Sequence, residues 1–329
     1  MRKHLLATVA IVLVLFVGAL ALAVAFGGPS TPPALASANN PFEAVDYSTL
    51  PELSYYAAPD RANLAYRQYP AMGNPKGSAV LLHGSSADSR SMHPMAQALV
   101  EAGFAVYALD VRGHGESGVK GHVDYVGQLE DDLQAFMMQV QPVGPVTLVG
   151  FSSGGGFALR VAGGELATLF DRYLLLAPFV SQEAPTYRTG SGGWVNVGLP
   201  RYVALMLLNQ LGIERFNDLP VVSYALTERA RRTMTPEYSF NLAQNYRPES
   251  DYAGTIRGIQ RPTRVVVGAQ DEMFNAAQFS DVFEVATQPV PVAVVEGANH
   301  VGLTLMPSAL TAIVAAMDSL GSTGTAQLE

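Results

Sequence analysis

The sequence has no cysteine in its 329 residues. That excludes disulfides, a thiol nucleophile and acylation of a lipoprotein cysteine, and it leaves the redox compartment open. Charge is scarce as well: 15% of residues are charged, and the formal net charge is −8. A chain of that sign offers no basic face to neutralise phosphates, so nucleic-acid binding is excluded. Internal repeats and long blocks of like charge are also missing. What is present is a chain that is 49% hydrophobic, enough for one large α/β domain with an insertion.

The first conspicuous feature is apolar. Leu5 to Phe26 carries no charge and follows Arg2 and Lys3. Roughly 20 apolar residues match the ~30 Å hydrocarbon core as a helix, and the run exceeds the ~7–15 residues of a usual signal-peptide core. Residues 1–27 are therefore expected to form a transmembrane anchor. The leading cations stay in the cytoplasm and the remainder lies on the extracytoplasmic side. Ala23-Val24-Ala25 and Ala34-Leu35-Ala36 are small-x-small patterns, which keep a cleaved signal and a secreted domain open as the alternative. Residues 28–45, rich in Gly, Pro, Ser, Ala and Asn, read as a flexible linker. Residues 46–329 then form the main domain.

Within that domain, strand-like runs recur at 63–69, 78–83, 104–109, 146–150, 173–177, 264–268 and 290–295. Helix-like stretches lie between them, most clearly at 90–102 and 123–140. The second should carry Glu130, Asp131 and Asp132 on a solvated side. The alternation predicts a mostly parallel sheet with helices on both faces and ligand sites at the carboxyl ends of the strands. Residues 181–255 break the rhythm and are expected to form an inserted cap. A helix over 202–211 and an Arg-rich helical run over 227–233 are predicted inside it. Trp194, Met206, Leu207 and Leu208 are candidates for lining an acyl pocket or for packing the cap. Arg229, Arg231 and Arg232 could meet an anionic group or simply form a solvated face.

The chemistry-bearing motif is Gly150-Phe151-Ser152-Ser153-Gly154, a G-x-S-x-G that follows the apolar run Val146–Val149 and precedes small residues able to open a helix. A strand, a strained glycine-flanked turn and a helix hold a serine oxygen out for attack. In this arrangement an acid and then a histidine follow the serine in chain order. His300 is the only histidine after Ser152, and imidazole can take and return a proton near neutral pH. Asp271 ends the β-branched run Arg264–Gly268 and is the candidate acid that fixes the imidazole tautomer. The adjacent Glu272 is expected to point elsewhere. His83-Gly84-Ser85-Ser86 ends another apolar run, so the backbone amides of Ser85 and Ser153 are the candidate oxyanion donors. No metal and no organic cofactor is required.

Together with Asp110-Val111-Arg112-Gly113-His114-Gly115-Glu116-Ser117, these motifs resemble the α/β-hydrolase superfamily over about residues 60–320. They are most similar to the group of monoacylglycerol lipases, lysophospholipases and serine aminopeptidase-like esterases. The resemblance implies an α/β-hydrolase fold, with Ser152 as nucleophile, His300 as base and Asp271 as acid. It further implies oxyanion donors at Ser85 and Ser153, a structural 112–115 loop, and a small-molecule ester or lipid substrate. A serine at position 152 sets the chain apart from the dehalogenase and epoxide-hydrolase relatives, which carry aspartate there. Acyl transfer, amide or peptide cleavage, and a non-catalytic binding module are the competing readings.

Overall fold

The computed structural model describes residues 2–322. Its central sheet is built from β1 (Leu53–Ala57), β2 (Asn63–Tyr69), β3 (Ser78–Leu82), β4 (Ala105–Leu109), β5 (Val146–Phe151) and β6 (Arg172–Leu176). Beyond the cap strands β7 (Val195–Val197), β8 (Pro220–Tyr224) and β9 (Glu237–Ser239), the chain returns as β10 (Thr263–Gly268) and β11 (Val292–Val295). Among the described residues the order across the central sheet is β1-β2-β4-β3-β5-β6-β10-β11. β1–β2 and β2–β4 pair antiparallel, and every other pair is parallel. β3, β4 and β5 are buried along their whole length, as continuous apolar strands are when both faces of a parallel sheet are covered. The helix His93–Glu101 packs on β4 and on the helix Pro307–Ser322, while Ser153–Ala162 packs on β5 and β6.

The expected mostly parallel sheet is thus observed, with differences at its margins. β1 was not foreseen; it is an edge strand of mixed exposure, and its apolar pattern is too weak to stand out. The helix expected over 123–140 starts later, at Gln128, because the chain turns through Gly127 at φ 111°. Asp132 is not on a solvated side. It is buried against the Arg112 guanidinium, with Arg112 Nε 2.7 Å and Nη2 2.8 Å from its carboxylate. Glu130, half-buried, pairs with Arg160. Opposite charges supplied from distant parts of the chain overrode the local amphipathic pattern.

The block 110–117 frames the carboxyl end of the sheet. Asp110 accepts the Ser89 and Glu116 amides at 2.8 and 2.9 Å, and Gly115 is required there because a Cβ would lie 2.1 Å from the Asp110 carboxylate. Arg112 bridges Asp132 and Asp60. Burial works to lower its pKa, but the hydrogen bonds to Asp132 and Asp60 outweigh it and hold the guanidinium above its ordinary value. His114 Nδ1 faces the Val111 and Arg112 carbonyls, and its Nε2 lies 2.5 Å from the Tyr238 hydroxyl. His83 Nε2 accepts the Val111 amide at 3.2 Å, which leaves Nδ1–H to donate to the Gly84 carbonyl at 2.8 Å. Burial pushes the pKa of both imidazoles down, and the neighbouring His83 adds to the effect at His114.

Two outcomes follow for the purified protein. Arg112→Ala strands a buried carboxylate and should lower unfolding stability in urea by about 3–5 kcal/mol. Asp60→Asn removes only the partner whose side chain is 39% exposed and should cost at most ~1 kcal/mol; equal losses would contradict the buried character of the Arg112–Asp132 pair. Separately, the unfolded chain protonates these histidines near pH ~6.5, while the folded chain takes up those protons only at lower pH. Stability is therefore fully present above that pH and is lost as pH falls below it. The melting temperature should drop between roughly pH 7 and 5, and His114→Asn should flatten that slope; an unchanged slope would contradict the neutral, buried assignment.

Candidate active site

Ser152 sits at the end of β5 with φ 54° and ψ −116°, a region that costs an L residue on the order of 1–3 kcal/mol. Close backbone approach enforces it. A Cβ on Gly154 would stand 2.3 Å from the His83 carbonyl oxygen, and one on Gly150 would stand 2.2 Å from the Gly154 oxygen. The turn is further held by the Ser152 amide donating to the Leu176 carbonyl at 2.9 Å and by the Ser152 carbonyl accepting the Gly156 and Phe179 amides at 2.9 and 3.0 Å.

The loops after β10 and β11 bring in the partners. The Gln270 amide donates to the Ala298 carbonyl at 2.9 Å, and a Cβ on Gly268 would lie 2.3 Å from that same oxygen, so the two loops run in contact. His300 Nε2 is 3.0 Å from Ser152 Oγ, and its Nδ1 is 2.7 Å from Asp271 Oδ2. Asp271 Oδ1 accepts the Met273 and Phe274 amides, each at 2.8 Å, so the carboxylate cannot swing away. Phe151 and Phe274 flank the imidazole with ring centroids at 4.8 and 5.2 Å. Asp271 is 2% exposed, His300 3% and Ser152 7%, so the relay lies in a largely water-excluded place where charge separation is strongly felt. Glu272 points away from the ring, and its carboxylate accepts the His300 backbone N–H at 3.0 Å, fixing the loop.

Ser85 and Ser153 line the same cavity as Ser152, and the backbone amide of neither donates to an acceptor among the described residues. The loop carrying Ser85 is pinned from the cap: the Ser86 amide donates to Tyr238 Oη at 2.7 Å, Ser86 Oγ donates to the Thr235 carbonyl at 2.5 Å, and Trp194 Nε1 donates to Ser85 Oγ at 2.9 Å. Tyr246 donates to the His83 carbonyl. Nothing in the local sequence marked these tyrosines, because they come from the cap and meet the loop only in three dimensions.

Two chambers meet at Ser152. The larger, about 750 Å³ counted to its open mouth, is walled mainly by Phe179, Tyr187, Trp194, Val222 and Phe274. The smaller, about 450 Å³ on the same measure, includes His300, Ser91 and Thr304. Trp194 lines both, as proposed for a pocket residue. Met206, Leu207 and Leu208 line neither. They belong to the cap helix Leu199–Gln210, where Leu208 faces the core while Met206 and Leu207 face outward. The Arg-rich run is a single turn, Ala230–Arg232, rather than a helix over 227–233. Arg229 lines an outer groove, and Arg231 donates to the Tyr224 carbonyl at 3.2 Å. The cap also holds the β7-β8-β9 sheet, whose short strands were not legible in the sequence.

Residues 28–45, expected as a flexible linker, are instead tied to the cap. The Ser30 amide donates to Asn196 Oδ1 at 2.9 Å and the Leu35 amide to the Ala225 carbonyl at 2.9 Å. Ahead of them, Arg201 Nε and Nη2 donate to the Val24 and Ala25 carbonyls at 2.8 and 3.0 Å, satisfying acceptors that a helix C-terminus leaves open.

Known proteins share this architecture. A monoacylglycerol lipase from Mycolicibacterium smegmatis is 34% identical over 105 residues, 31% of this chain and 38% of that protein. The Homo sapiens monoglyceride lipase is 26% identical over 196 residues, 56% of this chain and 63% of its own length. The chain thus spans less than two thirds of these relatives. Among solved structures, a soluble variant of the monoglyceride lipase from Saccharomyces cerevisiae superposes with a TM-score of 0.64 at 17% identity, covering 85% of this chain and 98% of that one. The Paleococcus ferrophilus monoacylglycerol lipase gives 0.59 at 19% identity, covering 79% and 98%. A family model described as serine aminopeptidase, S33, matches residues 73–303, and on that match and this fold the chain belongs to the S33 serine aminopeptidase family of α/β hydrolases.

Proposed function

We propose that this hydrolase is a membrane-tethered serine esterase that cleaves carboxylic or monoacyl lipid esters through an acyl-enzyme. The carrying observation is the continuous relay from Ser152 Oγ through the His300 ring to Asp271, with spacings of 3.0 and 2.7 Å, opening on a mostly apolar chamber. His300 Nε2 takes the Ser152 proton as Oγ attacks the ester carbonyl. The resulting oxyanion is met by the Ser85 and Ser153 amides, each worth about 2.7–4 kcal/mol by analogy with single-donor deletions. His300 then gives the proton to the departing alcohol oxygen. A water activated by the same imidazole releases the acid and regenerates the serine.

Chemistry also assigns the chambers. The departing oxygen must reach His300 Nε2, so the alcohol occupies the chamber that includes His300, and the acyl chain takes the larger, aromatic-walled one. The names of the relatives, monoacylglycerol and monoglyceride lipases, make monoacyl glycerol esters the first substrates to try.

Tethering rests on the helix Arg2–Phe26, 25 residues with a mean hydropathy of 3.0 over its most apolar window. Its apolar side chains face outward, Leu13, Leu15 and Phe26 among them. Such a surface is stable in lipid and costly in water. Arg2 and Lys3 favour a cytoplasmic start and an extracytoplasmic catalytic domain.

An active-site fluorophosphonate should label the wild-type protein and fail on Ser152→Ala, which should also lose p-nitrophenyl ester turnover; equal labelling of that variant would defeat the assignment. Asp271→Asn should fold normally and lower kcat by about 10⁴-fold, through loss of the correct tautomer. In cells, the full chain should fractionate with membranes and resist alkaline carbonate, with its catalytic domain digested by protease added from the extracytoplasmic side. Protection of that domain would reverse the proposed orientation.

A further inference from the structure

The small chamber has a wall that the catalytic domain does not supply. Ala38 and Phe42, which lie on the segment between the apolar helix and β1, line it together with Ser152 and His300. Ala38 belongs to the short helix Ala36–Asn39 and Phe42 to the turn Asn40–Ala44. Ala38 is 5% exposed, and Phe42 is half-buried. One side chain adds to the backbone bonds that tie the segment to the cap. Asn39 Nδ2 donates to the Leu35 and Ala225 carbonyls at 2.6 and 2.9 Å, and its Oδ1 accepts the Thr227 amide at 3.3 Å. One side-chain amide thus joins this strap to two cap residues, Ala225 and Thr227. Outside the chamber lies a broader groove that shares Ala38, Phe42, Ala87, Ser91 and Met234 with it. The strap therefore runs between the chamber and solvent.

We propose that Phe42, held in place by Asn39, is a specificity-determining residue that limits the size of the alcohol group this enzyme accepts. The inference rests on the esterase reading and on the placement of the departing alcohol beside His300. A benzyl group filling one side of a small chamber excludes bulk by steric overlap, and a packed chamber does not yield freely. The acyl chain, on the other side of Ser152, does not meet Phe42. The strap continues directly from the apolar helix, so the same stretch that leads to the anchor shapes the leaving-group side of the site.

The experiment uses the full-length protein in detergent and two ester series. One holds the acyl group fixed and varies the alcohol from methyl through propyl to cyclohexyl; the other holds the alcohol fixed and lengthens the acyl chain. Phe42→Ala should raise kcat/KM for the cyclohexyl ester relative to the methyl ester by about tenfold, the scale that a few methylenes command in a pocket, and leave the acyl-chain profile unchanged. Phe42→Trp should move the same ratio the other way. Asn39→Ala should shift it in the direction of Phe42→Ala by releasing the strap. Folding of each variant is checked by its melting temperature and by fluorophosphonate labelling of Ser152. An unchanged alcohol ratio in folded variants, or a uniform loss across both series, overturns the proposal while leaving the esterase reading intact. A wild-type protein that hydrolyses no ester in either series removes the esterase reading and this inference with it.

Discussion

The site depends on a backbone approach that only glycine permits. At Gly154 the first turn of the helix after β5 lies against the His83 and Leu82 carbonyls, at distances no side chain could share. That contact locks the Ser152 turn to the loop after β3. It places Ser152 in a strained conformation, and Ser85 and Ser153 line the same cavity. The strain is retained because the surrounding sheet over-determines it. Asp271 and His300 then need only reach a fixed point, and the contact between the loops after β10 and β11 brings them there.

A second tier of buried polar groups holds the cap to this frame. Tyr238 serves two partners at once: it accepts the Ser86 amide and meets His114 Nε2. The loop after β3, the 110–117 block and β9 therefore share one hydroxyl. Networks of this kind are costly when incomplete and rigid when every member is satisfied. The His83 and His114 rings are not spare catalysts. Each has both nitrogens engaged, and burial keeps them neutral. Their work is to hold backbone carbonyls and amides in register around the serine.

Much of this was legible because it is encoded locally. Parallel strands buried on both faces must be continuous apolar runs, and β3, β4, β5, β6 and β10 declared themselves in that way. The G-x-S-x-G turn is legible for a related reason: strain and close approach leave few residue choices. Asp271 and His300 were found by their order after the serine and by their places just past strand ends. Asp132 was misread, since its partner Arg112 is 20 residues away and no helical pattern announces an ion pair with another segment. The cap was recognised only as a break in rhythm. Its strands are as short as 3 residues, and their stability comes from packing rather than from local preference.

The segment between the apolar helix and the catalytic domain marks the boundary most clearly. Its composition reads as a linker, because Gly, Pro and Ser are common in chains that stay loose. Yet Asn196 and Ala225 lie more than 150 positions downstream and accept its Ser30 and Leu35 amides. Sequence by itself determined the elements whose chemistry is local: the apolar helix, the parallel strands, the strained serine turn, and the chain order in which Asp271 and His300 follow it. Only the tertiary structure decided which side chains wall the cavities, which carboxylate is buried and which loop closes the site. Those outcomes depend on contacts between residues far apart in the chain, and no local period or motif records them.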